Sequence, residues 1–174
     1  MPYSSAALSI LARLGIAVEL ISAKGLAECT EATELQITQR DPDGREHLLA
    51  PAAAHAWARL RAAASEEGVE LHIVSAFRSV ERQVAIIERK LKAGLSIEQV
   101  LSVSAPPCFS EHHTGLAIDI GTPGVVALEP EFENTPAFAW LTRHAAAFGF
   151  QLSYPRNNPG GFDYEPWHWR FLPG

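Results

Sequence analysis

The run Leu116-Ala-Ile-Asp-Ile120 alternates as a strand, with Leu116, Ile118 and Ile120 on one face and Ala117 and Asp119 on the other. A carboxylate in the middle of an apolar strand is costly unless it is paired or bound to a metal. The chain therefore has to supply Asp119 with partners, and the text around it holds candidates. Ala105-Pro-Pro-Cys-Phe109 must be an extended loop, because consecutive prolines cannot continue a helix and force the preceding residue out of the α region. This loop delivers Ser110 and His112, and Gly115 then permits a tight approach of the backbone. A second source is the extended, aromatic C-terminal run Tyr164-Glu-Pro-Trp-His-Trp-Arg-Phe171, which holds Glu165 and His168.

Zinc in a hydrolase takes three protein ligands from His, Asp or Glu and leaves a position for water, whose pKa it lowers towards ~7. His112, Asp119 and His168 supply such a set, and one Zn2+ per chain is expected. Glu165, just before His168, is then a candidate general base for that water. Residues three apart in a regular strand face opposite sides, so Pro166 is expected to bend or bulge the strand if Glu165 and His168 serve one site. Any one of these four residues, seen alone, is more often structural than catalytic. Their joint occurrence is what points to a site.

The remaining text reads as scaffold. A short helix over Ser5 to Leu14, with Ser4 or Ser5 as N-cap, precedes a hairpin in which Leu35 to Arg40 and Glu46 to Leu49 flank the turn Asp41-Pro-Asp-Gly44. Pro51 to Glu66 is an Ala-rich helix begun by its proline and ended before Gly68. Leu71 to Phe77 is a buried strand, Ser79 caps a helix through about Leu91, and Ser96 caps a shorter one over Ile97 to Val103. Arg78 is thus mounted at a strand-to-helix junction, where its planar fork could grip a carboxylate, and Gln83 one turn into the helix could face the same pocket. Residues 121 to 136 form a long loop, a lid or a rim; Ala137 to Phe148 is a helix closed by Gly149, and Phe150 opens another strand. His47, His55, His72 and His144 lack a second ligand-type residue at metal spacing and are expected to be structural.

Composition excludes some function classes. A formal charge of -6 and a pI near 5.6 argue against nucleic acid, which needs clustered Lys and Arg. No run reaches the ~18 apolar residues of a membrane span. Cys29 and Cys108 have neither thiolate-zinc nor disulfide-framework spacing and read as free thiols. The first residues lack a basic n-region, so the chain is expected in the cytoplasm, or in the periplasm or cell wall if it is not the full precursor. Oligomeric state is open.

Three motifs in matching order, Ser-Ala-Phe-Arg-Ser, Ser-x-His-x6-Asp and Glu-Pro-Trp-His, resemble the zinc D-alanyl-D-alanine carboxypeptidases, the VanY-like peptidases that are related to VanX-type dipeptidases. The resemblance covers about Leu71 to Phe171. It implies that His112, Asp119 and His168 are zinc ligands, that Glu165 is the general base, and that Arg78 stabilises the scissile carbonyl or the substrate carboxylate. Ser110 and Gln83 match positions that look like substrate contacts, and His113 stands where many relatives carry Gln and is not expected to be a ligand. Trp167 and Trp169 wall the site or fill the core, with core packing favoured. The implied fold is α+β: a single domain over 1–174 with helices packed on a small antiparallel sheet bearing a zinc cleft, 1–70 giving N-terminal helices and hairpin and 71–171 the peptidase core. The implied reaction is hydrolysis of a peptide bond before a C-terminal D-alanine of a peptidoglycan-derived peptide. Two alternatives accompany it, a stem-peptide endopeptidase of the lysin type and a non-catalytic zinc-stabilised binding module like the hedgehog signalling domain.

Overall fold

Local signals fix most of the elements. In the computed structural model, which describes residues 3–173, helix α1 (Ser5–Arg13) starts where Ser4 accepts the N–H of Ala7. Helix α3 (Pro51–Glu66) carries its proline in the first turn. Ser79 accepts the N–H of Arg82 to begin α4 (Val80–Lys92), and a reciprocal box between Ser96 and Gln99 begins α5 (Ile97–Val103). These caps satisfy N–H groups that the helix itself leaves unpaired. A further helix, α2 (Val18–Ala23), has no side-chain cap and was not expected; burial of Ile21 holds it in place.

The described residues build two antiparallel sheets. Strands β1 (Gln36–Arg40) and β2 (Glu46–Leu49) form the expected hairpin. His47 in it is buried, with Nε2 at 2.7 Å from Asp41 Oδ2, a structural role as expected. The main sheet is four-stranded, in the order β3 (His72–Ser75), β4 (Ala117–Gly121), β6 (His168–Phe171), β5 (Phe150–Leu152), with every neighbour antiparallel. This mixture of helices and a small antiparallel sheet is the α+β architecture expected.

The register sorts the two faces of the sheet. Ile118 pairs with Trp169 and both enter a core that includes Trp57 and Leu60 of α3 and Trp140 and Leu141 of α6 (Pro136–His144). Ser75, Asp119 and His168 are cross-strand partners in one row, so they share a face. Leu11, Ile21, Val84, Ile87, Val100, Leu101 and Phe109 form a second core among α1, α2, α4 and α5.

Two expectations need correction. The helix expected from Ala137 to Phe148 is α6 followed by a 3-10 turn over Ala145–Phe148, the tighter winding common at helix ends, closed by Gly149 at φ +81°. The extended run from Tyr164 is not one distorted strand. Residues 165–168 form a turn in which His168 N–H donates to Glu165 O at 3.1 Å, and β6 begins only at His168. Pro166 sits in that turn, where its missing N–H costs nothing.

Candidate active site

The centre is built on β4 and β6. Because Asp119 and His168 are directly opposed, their side chains meet on one face, with His168 Nδ1 2.9 Å from Asp119 Oδ1. The third member comes from a 3-10 turn, Glu111–Thr114, immediately before β4. That turn ends at Gly115 with φ +65°, where a Cβ would lie 3.0 Å from the Ala50 backbone nitrogen. Ala50 N–H instead donates to Gly115 O at 2.9 Å, so only glycine fits. The turn puts His112 Nε2 3.3 Å from Asp119 Oδ2. One donor atom from each of His112, Asp119 and His168 lies within 4.8 Å of the others, and all three residues are buried.

Hydrogen bonds orient both rings. His112 Nδ1–H donates to Ala76 O at 2.7 Å, which leaves the Nε2 lone pair facing Asp119. His168 has Nε2 2.9 Å from Glu111 Oε2 and so presents Nδ1 to the centre. Burial pushes the His112 imidazole below its ordinary value. Burial would lower His168 too, but its hydrogen bonds to Asp119 and Glu111 outweigh this and raise it to about 10. Asp119 is held well below the usual carboxylate range, since the charges and hydrogen bonds of the two histidines overcome its burial. Two converging imidazole nitrogens and one ionised carboxylate are a donor set that zinc accepts, so these residues fit the ion.

The other expected site residues gather around this centre. Glu165 Oε2 is 3.9 Å from His168 Nδ1, and burial raises its carboxyl to about 7. Its N–H donates to Tyr154 O at 3.1 Å, which anchors the turn. Arg78 Nη2 lies 3.8 Å from Asp119 Oδ2 and donates to Ser75 Oγ at 3.1 Å. Gln83 is placed differently from the expectation. It is 0% exposed, takes Arg78 Nη1 on its carbonyl at 2.9 Å and donates to Ala105 O at 2.6 Å. It braces Arg78 and has no surface left for a ligand.

A cleft of about 500 Å3 opens over the centre, and Arg78, Ser110, His112, Asp119, Glu165 and His168 all line it. Leu128, Glu129 and Pro130 contribute one edge, so the 121–136 loop serves as a rim. Trp167 reaches both cleft and core, while Trp169 is core. His113 turns away from the centre: its Nδ1–H donates to Arg78 O and its Nε2 accepts the N–H of Cys108. A larger cavity of about 940 Å3 lies across Tyr154, against residues 22–33, and contains none of the three donors. The candidate metal centre therefore opens into the smaller one.

Sequence reasoning missed Glu111, Tyr154 and Lys90. Glu111 stood inside the motif but had no strand or helix period to place it. The ring of Tyr154 packs 4.7 Å from that of His168, and Lys90 lines the cleft from α4.

The fold and site define a class: small α+β domains that mount a His–Asp–His centre on one face of an antiparallel sheet. Within it the chain belongs to the VanY family, D-alanyl-D-alanine carboxypeptidase, whose sequence model matches residues 46–174. It is 34% identical over 131 residues to VanXYC of Enterococcus gallinarum, a bifunctional D-Ala-D-Ala dipeptidase and D-Ala-D-Ala carboxypeptidase, covering 71% of this chain and 67% of that one. It spans only 41% and 43% of the length of two other curated relatives. Among solved structures, the LdcB LD-carboxypeptidase superposes with a TM-score of 0.73 at 32% identity, covering 82% of this chain and 69% of that one. A vancomycin-resistance D,D-pentapeptidase VanY variant in complex with Zn(II) gives 0.63 at 28%, covering 82% and 80%.

Proposed function

We propose that the chain is a zinc-dependent carboxypeptidase that hydrolyses the peptide bond before a C-terminal D-alanine of peptidoglycan stem peptides. The observation that carries this is the joint placement of a buried carboxyl and a guanidinium around the three-donor centre, with Glu165 3.9 Å from His168 and Arg78 3.8 Å from Asp119. A binding module would need neither. The names of the relatives, and the zinc in one of them, support the substrate class and the metal.

In this reading His112 Nε2, Asp119 and His168 Nδ1 hold the ion. When bound, zinc supplies Lewis acidity and lowers the pKa of water. The Glu165 carboxylate takes a proton from the attacking water and returns it to the leaving amine. Arg78, locked by Ser75, Gln83 and the nearby Asp119, offers its guanidinium to the oxygen on which negative charge develops. Tyr154 and Trp167 wall the cleft, limiting water around the reacting bond.

Mass spectrometry of defined peptides, with and without chelator, tests the proposal: a pentapeptide ending D-Ala-D-Ala, the tetrapeptide, and free D-Ala-D-Ala. Chelator-sensitive loss of one terminal D-alanine is the expected result, and the peptide that reacts assigns D,D- or L,D-specificity. Cleavage within the stem would make the chain an endopeptidase. Zinc binding without cleavage of any peptide would refute catalysis and leave a binding module.

A further inference from the structure

Among the described residues, Glu111 is the one carboxylate that touches the centre from behind. Its Oε2 is 2.9 Å from His168 Nε2 and accepts Ser153 Oγ–H at 2.6 Å, while Oε1 accepts Arg170 Nη1–H at 3.1 Å. The three partners lie on or beside β5 and β6. Glu111 lines the larger cavity and is absent from the cleft wall, so a peptide in the cleft would not meet it. We propose that Glu111 is a positioning residue of the metal centre, fixing His168 as the Nε2–H tautomer with its Nδ1 lone pair aimed at the ion. This rests on reading His112, Asp119 and His168 as ligands.

The alternative is an ordinary ion pair between Glu111 and Arg170. Arg170 has 36% of its side chain exposed, so solvent screens that pair and it contributes little. The contact with His168 is made by a ring only 3% exposed, where a lost acceptor is not replaced by water. Ser153 occupies a second lone pair on the same oxygen, and the guanidinium holds the other oxygen, so the carboxylate has one orientation available. The two histidines are held by different means. A backbone carbonyl fixes His112, whereas a side chain fixes His168, so only the second can be released by substitution. Carboxylates behind ligating imidazoles set tautomer and basicity, and their removal costs about 10–100-fold in metal affinity.

The full chain with Glu111→Ala should bind zinc about 10–100-fold more weakly in competition with a chromophoric chelator. Its cobalt-substituted form should show a shifted visible absorption spectrum. Melting of the metal-free variant checks that the fold survives. If Glu111→Ala does not fold, the near-isosteric Glu111→Gln decides, because it removes the charge and replaces one acceptor oxygen with an NH2; several-fold weaker binding is expected. Native zinc affinity with an unchanged cobalt spectrum, in whichever variant folds, overturns the inference. Failure of the unsubstituted chain to bind zinc or cobalt would overturn the ligand assignment itself, while loss of peptidase activity alone bears only on the proposed reaction.

Discussion

In the proposed reaction Glu165 would serve chemistry at the expense of stability. Burial outweighs the nearby cations and raises its carboxyl from 4.5 to about 7 in the metal-free protein. A group whose pKa is higher folded than unfolded supports the fold below the unfolded value and loses that support as pH rises through the folded one. Between about pH 4.5 and pH 7 the metal-free protein should therefore lose on the order of a few kcal/mol through this residue. In chelator, Glu165→Gln should melt well above the unsubstituted protein at pH 8 and close to it at pH 5; an equal difference at both values would remove Glu165 as the cause. The same variant in the presence of zinc should keep the metal and lose at least about 100-fold in kcat. Zinc-replete turnover at the original rate would take Glu165 out of the mechanism. At this scale the sequence was informative wherever one residue broke a pattern. Asp119 in an apolar strand demanded partners, and His112 and His168 are those partners. Glu111 broke no pattern, because a glutamate next to a histidine in a loop looks like any solvated side chain until the 3-10 turn points it at the back of His168.

Helix α4 forms one wall of the cleft. Ile86, Arg89 and Lys90 are spaced i, i+3 and i+4, fall on one face, and all line the cleft. Lys90 Nζ donates to Ser104 Oγ at 2.7 Å, which holds the ammonium at the cleft margin. A carboxypeptidase substrate ends in a carboxylate, and Arg78 is already committed to Ser75, Gln83 and the vicinity of Asp119. Lys90, fixed at the cleft margin with Arg89 beside it, is expected to attract that end. Lys90→Ala should raise KM for a peptide acid by about three- to tenfold with kcat nearly unchanged, and the effect should shrink at high salt. A peptide amide should be hydrolysed equally by both proteins; if Lys90→Ala slows acid and amide alike, the role is structural. The elements themselves were legible where capping residues mark them, as at Ser4, Ser79 and Ser96, because those side-chain bonds are local. Two features escaped because their causes lie elsewhere in the fold. α2 forms on burial of Ile21, and the start of β6 is set by pairing of His168 with Asp119 rather than by the extended, aromatic character of Tyr164 to Phe171.

The whole molecule has two cores, and what joins them decides whether the site can survive damage to either. The segment before residue 46 lies outside the family match, yet Ala7, Leu11 and Ile21 fill the core that supports α4 and Phe109. It also grips the loop that carries His112 directly. Cys29 N–H donates to Cys108 O at 2.7 Å, Ala32 N–H to His113 O at 2.8 Å, and Val80 N–H at the start of α4 to Glu31 Oε2 at 2.6 Å. Arg78 N–H closes the circuit on His112 O at 3.2 Å. With both cores tied to one loop, neither can open without breaking the other's backbone bonds, so unfolding should be a single cooperative event. The four tryptophans give the means to check this, since Trp57, Trp140, Trp167 and Trp169 all belong to or pack against the sheet-side core. Leu11, fully buried in the other core, is the residue to truncate. Leu11→Ala should cost about 2–5 kcal/mol, and the whole loss should be visible in tryptophan fluorescence during denaturant unfolding, with the slope unchanged. A fluorescence midpoint that stays put while circular dichroism reports an earlier helical transition would mean that the cores melt separately and that the bonds through residues 28–32 do not couple them.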